Sequence, residues 1–203
     1  MPVGRRDFVT GHKDIVQMML DLGAKDLNSA MAYAVTGGHK DIVQMMLDLG
    51  ATNYNIAMRI AAEGVGRQAQ SVGRRDSVTG HKDIVQMMLD LGANNYNSAM
   101  TDAALRGHKD IVEWMLNLGA TNYNGAMGMA AKGGHKDIVE LMLDLGADDY
   151  NLAMYFAADG GHKDIVEWML ILGVTNYNAA MASAAERGYN DIVELIKSYK
   201  DKK

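Results

Sequence analysis

Hydrophobic and polar positions recur along this chain with one long period, and each period holds two short ones. In Ala120–Gly146, ATNYNGAMGMAAKGGHKDIVELMLDLG, the second half places Ile138, Val139, Leu141, Met142, Leu143 and Leu145 around a helix, while Lys136, Asp137, Glu140 and Asp144 keep one strip polar. That apolar stripe is wider than one amphipathic face needs, so the helix is expected to be covered on more than one side. Asp137 falls in the first turn, where the helix dipole favours an anion, and Gly146 follows the last turn, where a left-handed residue is wanted. The first half places Ala126, Met127, Ala130 and Ala131 at i, i+1, i+4 and i+5, a narrow stripe of mostly small side chains that predicts a short helix in close contact with its neighbours. Two helices of about ten residues, joined by Gly-Gly or Arg-Gly and by Gly-Ala-Thr-Asn, fill the period.

The phrase GHKDIVQMMLDLGA occupies Gly11–Ala24, Gly38–Ala51 and Gly80–Ala93 unchanged, then returns with small changes from Gly107, Gly134, Gly161 and Gly188. Five of the six steps between the starting glycines are 27 residues, and Gly38 to Gly80 is 42, or 27 plus 15. A hairpin of this size cannot bury its own apolar surface, so consecutive hairpins must stack. The expected fold is all-α, a solenoid of stacked helix-turn-helix repeats.

The string AAKGGHKDIVELMLDLGA, Ala130–Ala147, resembles the ankyrin repeat, whose units carry an Ala-Ala, a Gly-His, an Ile-Val, a pair of large aliphatics and a Gly-Ala at these spacings. The likeness covers nearly the whole chain in six or more units. Ankyrin units are usually about 33 residues; the residues missing here fall between Gly-Ala and Ala-Ala, where that family has a β-hairpin finger and a Thr-Pro-Leu-His start to its first helix, and where this chain reads TNYN-x-AM. The resemblance therefore implies the helical stack with the fingers truncated or absent. Units of this shortened kind are also similar to those of ankyrin-type proteins of large DNA viruses.

The long interval divides the chain. Val72–Ala93 matches Val3–Ala24 at every position but Phe8 against Ser77, so a block was duplicated together with its leader, and that leader lacks the small apolar stripe of a first helix. The expected organisation is an N-terminal repeat block over 1–64, with a degenerate polar cap, an irregular insert or remnant repeat over 65–79, and a C-terminal block of about five repeats over 80–203 ending in a lysine-rich cap.

Composition narrows the function. A net charge of −5 argues against sequence-wide attraction to nucleic acid or anionic membrane, and leaves only a local arginine cluster, Arg67, Arg74 and Arg75, as a possible contact. With no cysteine there are no disulfides, thiolate zinc sites or cysteine nucleophiles. Apolar runs such as Trp168–Leu172 are far short of the roughly 20 residues that span a bilayer. The expectation is an intracellular, cytoplasmic protein, acting in the host cytoplasm if viral.

Chemistry is scarce. The histidines at 12, 39, 81, 108, 135 and 162 recur with the period, but stacked helices lie about 8–10 Å apart, too far for neighbouring rings to share a metal, so each is read as serving its turn. Gly64-Val65-Gly66-Arg67-Gln68-Ala69 fits a loose dinucleotide fingerprint but follows a helix and lacks the strand such a site requires. The periodic methionines, Met31 to Met181, read as core filling. No catalytic arrangement departs from the repeat pattern, so an enzyme, a cofactor and a metal are not expected.

The repeats differ most at the pair between Ala-Met and Ala-Ala: Ala32-Tyr33, Arg59-Ile60, Thr101-Asp102, Gly128-Met129, Tyr155-Phe156 and Ala182-Ser183. These positions lie off the Ala/Met stripe, and the resemblance implies that they line the inner, concave surface. The function read from sequence is a non-enzymatic scaffold that binds a protein partner through Tyr33, Arg59, Ile60, Thr101, Asp102, Met129, Tyr155, Phe156 and Ser183. Arg106, Lys132, Asp159 and Arg187 flank them and are expected to set partner choice. Two rivals are a self-assembling structural component and the receptor arm of a ubiquitin-ligase adaptor.

Overall fold

A computed structural model describes residues 13–64 and 81–201. The insert over 65–79 and its arginines, with the polar leader at the N-terminus, lie outside the described residues. Among those described there are thirteen helices and no strand. The chain divides into two compact units, Met1–Asn95 and Tyr96–Lys203. The first unit holds α1 (Lys13–Asp21), α2 (Leu27–Thr36), α3 (Lys40–Asp48), α4 (Tyr54–Glu63) and α5 (Lys82–Asp90). The second holds α6 (Tyr96–Arg106), α7 (Lys109–Asn117), α8 (Tyr123–Gly133), α9 (Lys136–Asp144), α10 (Tyr150–Gly160), α11 (Lys163–Leu172), α12 (Asn178–Glu186) and α13 (Asn190–Lys200). In each unit first helices pack on first helices, and each packs on the second helix of its own hairpin.

The Ala/Met stripe is the core of the first helices: Ala126, Met127, Ala130 and Ala131 are fully buried, as are their counterparts Ala57, Met58, Ala61 and Ala62. Small alanines let neighbouring helices approach, and each methionine fills the space between them. In the second helices Ile138, Val139 and Met142 are fully buried. The remainder of the expected stripe is not: Leu141 and Leu143 are half-buried and Leu145 is exposed. The second helix is thus covered on one side, with leucines at the margin.

Both helices of a hairpin stop the same way. After the second helix, Gly50 takes φ +104, and the amide of Ala51 reaches back to the carbonyl of Met46 at 2.9 Å. After the first helix, Gly38 takes φ +69 and the amide of His39 reaches the carbonyl of Ala34 at 2.9 Å. Each is a glycine-terminated motif with a six-to-one bond, which only a residue free to adopt positive φ closes without strain.

Successive hairpins are stitched by side chains. In α2, α8 and α10 the asparagine that follows Leu27, Tyr123 or Tyr150 accepts two amides from the loop of the next repeat: Asn124 Oδ1 from Asp148 and Asp149, both at 2.9 Å, Asn28 from Thr52 and Asn53, and Asn151 from Thr175 and Asn176. Each bond contributes about 0.5–1.5 kcal/mol net. The histidines also bridge repeats. Nε2 of His135 lies 3.2 Å from the carbonyl of Leu105, and Nε2 of His162 lies 3.0 Å from that of Lys132. A carbonyl can only accept, so these bonds place the proton on Nε2. The ring serves the preceding repeat as well as its own turn: a Cβ on Gly107 would stand 2.5 Å from the His135 ring, one on Gly38 would stand 2.7 Å from that of His81, and one on Gly133 would stand 2.6 Å from Cδ2 of His135.

α4 and α5 pack against each other, and the amide of His81 donates to the carbonyl of Ala61 at 3.0 Å, the bond that His135 makes to Ala130 and His162 to Ala157.

Candidate partner-binding face

The variable pair follows the buried Ala-Met along the first helix, where one further residue turns about 100° away from the core and the next another 100°. Among the first unit's pairs, Tyr33 on α2 is 79 % exposed, and Arg59 and Ile60 on α4 are half-exposed. On α6, Thr101 and Asp102 are half-exposed, and the Thr101 hydroxyl donates to the carbonyl of Ser98 at 2.9 Å. Met129 on α8 is half-exposed, whereas its pair mate Gly128 is buried.

The largest side chains meet in α10. Tyr155 is 37 % exposed, and its ring stands edge-on to Phe156 with centroids 5.2 Å apart. Phe156 is half-buried and sits on α8: a Cβ at Gly128 would lie 2.9 Å from its Cδ2. Gly128 is therefore the seat that lets Phe156 lie down against the preceding helix. The Lys132 ammonium stands 5.7 Å from the Phe156 centroid, within cation–π range.

At the ends of these helices three of the four flanking charges converge. Asp159, with its side chain only 9 % exposed, takes Lys132 Nζ on Oδ2 at 2.9 Å and Arg187 on Oδ1 through Nη2 at 2.9 Å and Nε at 3.0 Å. The Ser183 hydroxyl donates to the same oxygen at 3.1 Å, and Ser183 itself is 8 % exposed. Ser183 therefore supports the network from beneath instead of facing outward as the sequence suggested. The hydrogen bond from Lys132 holds the Asp159 carboxyl below the usual carboxylate range, with Ser183 and Arg187 adding to the effect and partial burial opposing it. Beside this network lies an open cleft of about 540 Å³, lined by Tyr155, Arg187, Ala179 and Ala182 among others.

Sequence reasoning missed the asparagine stitching, although its signal was present: Asn28, Asn55, Asn97, Asn124 and Asn151 hold one place in every period, on a helix face that the core does not use. It also placed each histidine within its own turn and did not foresee the reach into the preceding repeat. A hydrogen bond between residues 30 apart leaves no trace in a single period. Among the described residues no three His, Asp or Glu side chains come together as metal ligands do, and no helix is long and apolar enough to cross a membrane.

The model of the family described as ankyrin repeats in three copies matches residues 103–179 and again 127–203. No curated protein matches the chain. The matched residues contain the hairpins of α8 to α13, with their left-handed glycines, Gly-His or Gly-Tyr junctions and Ala-Ala stripe. The chain is an all-helical repeat solenoid that carries ankyrin repeats over residues 103–203.

Proposed function

We propose that this chain is a non-enzymatic scaffold that binds a protein partner through the variable positions of its first helices, as ankyrin repeats generally do. The observation that carries this is the exposure of Tyr33 and Tyr155 beside a first-helix stripe that is otherwise fully buried. A helix that packs with alanine and methionine has no folding use for two large aromatic rings in water, and such rings are the commonest anchors of interfaces. In the first unit Ile60 adds an apolar and Arg59 a polar group to the face that carries Tyr33; in the second, Met129 extends the face of Tyr155, Thr101 and Asp102 give it polarity, and the Lys132–Asp159–Arg187 network fixes its rim. The shortened period supports kinship with the ankyrin-type proteins of large DNA viruses, and with it an intracellular place of action.

The test uses Tyr33→Ala and Tyr155→Ala, each in the full chain, as baits beside the wild type in quantitative affinity capture from host cells. Loss of an anchor typically costs about 2 kcal/mol, some thirty-fold in affinity. A protein captured by the wild type and lost from a variant of unchanged melting temperature supports the reading; identical capture by all three baits sinks it. Phe156→Ala is unsuited to this purpose, because the ring seats on Gly128 and its loss will lower stability.

A self-assembling role has one observation in its favour. α1 exposes Ile15, Met18 and Met19, with Leu22 just beyond its end. Light scattering across a concentration series separates the two readings, since a scaffold of this kind remains monomeric.

A further inference from the structure

On the side of the first unit away from its core, α3 and α5 border a groove of about 430 Å³. The two helices spell the same nine residues, KDIVQMMLD, and bury the same side chains, Ile42, Val43 and Met46 against Ile84, Val85 and Met88. The groove between their outer sides has apolar walls from Leu47, Met87 and Leu91, and Tyr54 adds an aromatic ring. Its charged groups are Asp48, Asp83, Asp90 and Lys40, three carboxylates and one ammonium, for a net charge of −2. Lys40 and Asp83 pair across it at 3.7 Å.

The other two carboxylates are held and half used. Gln44 Nε2 donates to Asp48 Oδ1 at 2.8 Å and Gln86 Nε2 to Asp90 Oδ1 at 2.7 Å, while the second oxygen of each has no partner among the described residues. Asp48 and Asp90 are the last residues of their helices, and neither helix has a basic residue in its last turn. A helix C-terminus carries about half a negative charge and normally recruits a cation; here two such ends, each with a carboxylate added, stand without one. Helix propensity and the dipole both argue against an aspartate in that place, so the negative field is a standing cost to the fold.

We propose that this groove holds an arginine side chain of a partner protein. An arginine stem is apolar and matches Leu47 and Met87, while its guanidinium reaches water and carboxylate at the far end. The planar fork takes a carboxylate side-on and stacks on a ring such as Tyr54, which the compact ammonium of lysine does less well. This surface is made by second helices and does not depend on the first-helix face proposed above.

The experiment titrates blocked arginine, N-acetyl-arginine amide, into the isotope-labelled full chain and follows amide and methionine methyl resonances. The expected result is saturable shifts in the millimolar range at the Met87 methyl and at the amides around Asp48 and Asp90. N-acetyl-lysine amide should bind several-fold more weakly. The double substitution Asp48→Asn, Asp90→Asn keeps the oxygen that accepts from each glutamine and should leave the melting temperature unchanged or slightly higher, yet weaken arginine binding at least five-fold. Equal binding of the lysine derivative, shifts of equal size around Asp137 and Asp144 on α9, or undiminished binding by the double variant would each overturn the proposal.

Discussion

His135 closes one turn and reaches into another, and its replacement measures both. Asparagine at this position can keep the backbone course of the helix start but cannot bring a ring over Gly107 or a donor to the carbonyl of Leu105. A part-buried carbonyl left without its donor costs up to about 1–3 kcal/mol, so His135→Asn should lower the urea midpoint, with no change in any response to added zinc. A zinc-dependent rise in melting temperature that disappears in the variant would falsify this role. His81 differs from its counterparts. Burial pushes its imidazole below its ordinary value; nearby Asp83 and the Thr36 carbonyl oppose that shift and His39 adds to it, while Nε2 itself makes no hydrogen bond. A depressed pKa means that the unfolded chain takes up the proton first. The stability held by neutral His81 is therefore complete above about pH 6.5 and is lost as the pH falls through the lowered value. Urea midpoints between pH 7.5 and 5 should decline in the wild type and decline less in His81→Gln; parallel curves would count against it. Asp159 works in a lower window. Its contribution is present above the ordinary carboxylate value and fades as the pH falls through the depressed one. At this scale the sequence displayed the types and spacing of the stitching residues but not their partners, because each bond joins residues from different periods.

At the scale of the element, the glycines of a hairpin look alike in sequence and differ in surroundings. Gly134 and Gly146 both adopt positive φ, yet a Cβ at Gly134 would meet the His162 ring, whereas one at Gly146 would meet nothing within 4 Å. Gly146→Ala should cost only the left-handed strain of about 1–2 kcal/mol, and Gly134→Ala clearly more, since ring and strain add. Equal losses for the two variants in urea melts would mean that the ring yields freely. The long interval is also an element-scale matter. Because His81 bonds to Ala61 as other junction histidines do, deletion of 65–79 leaves Ala-Ala-Glu-Gly-Gly-His, the spelling of an ordinary hairpin. Closing a shorter loop is favoured by about 2 kcal/mol, so the deleted chain should melt at equal or higher denaturant. A large loss would show that the insert is a structural part of the array. Helix positions and ends were legible because apolar spacing and glycine mark them in every period. The half-open leucine margin of the second helices was not, since periodicity shows which side is apolar and not how far a neighbour covers it.

Over the whole molecule, identical sequence does not guarantee identical burial. α1, α3 and α5 share KDIVQMMLD, but α1 buries none of its residues, while α3 and α5 bury isoleucine, valine and the second methionine. Amides of α1 should exchange first and those of α8 and α10 last, and Met18 and Met19 should be oxidised by dilute peroxide before Met46 and Met88. Uniform exchange along the chain would contradict this gradient. The stack itself was readable from the period alone. Which positions vary between repeats was readable, but not the network they build around Asp159: Lys132 and Asp159 hold the same place in successive repeats and Arg187 the next place along, and their pairing is visible only when α8, α10 and α12 are side by side. The ring of one repeat resting on the glycine of the one before it has a further consequence for rearrangement. Each such junction in the second unit needs only a left-handed glycine on one side and a ring on the other, supplied by histidine or, over Gly161, by Tyr189. A period can therefore be copied or exchanged without redesigning this joint, whereas a contact particular to two neighbours, such as Phe156 on Gly128, has to travel with both of them.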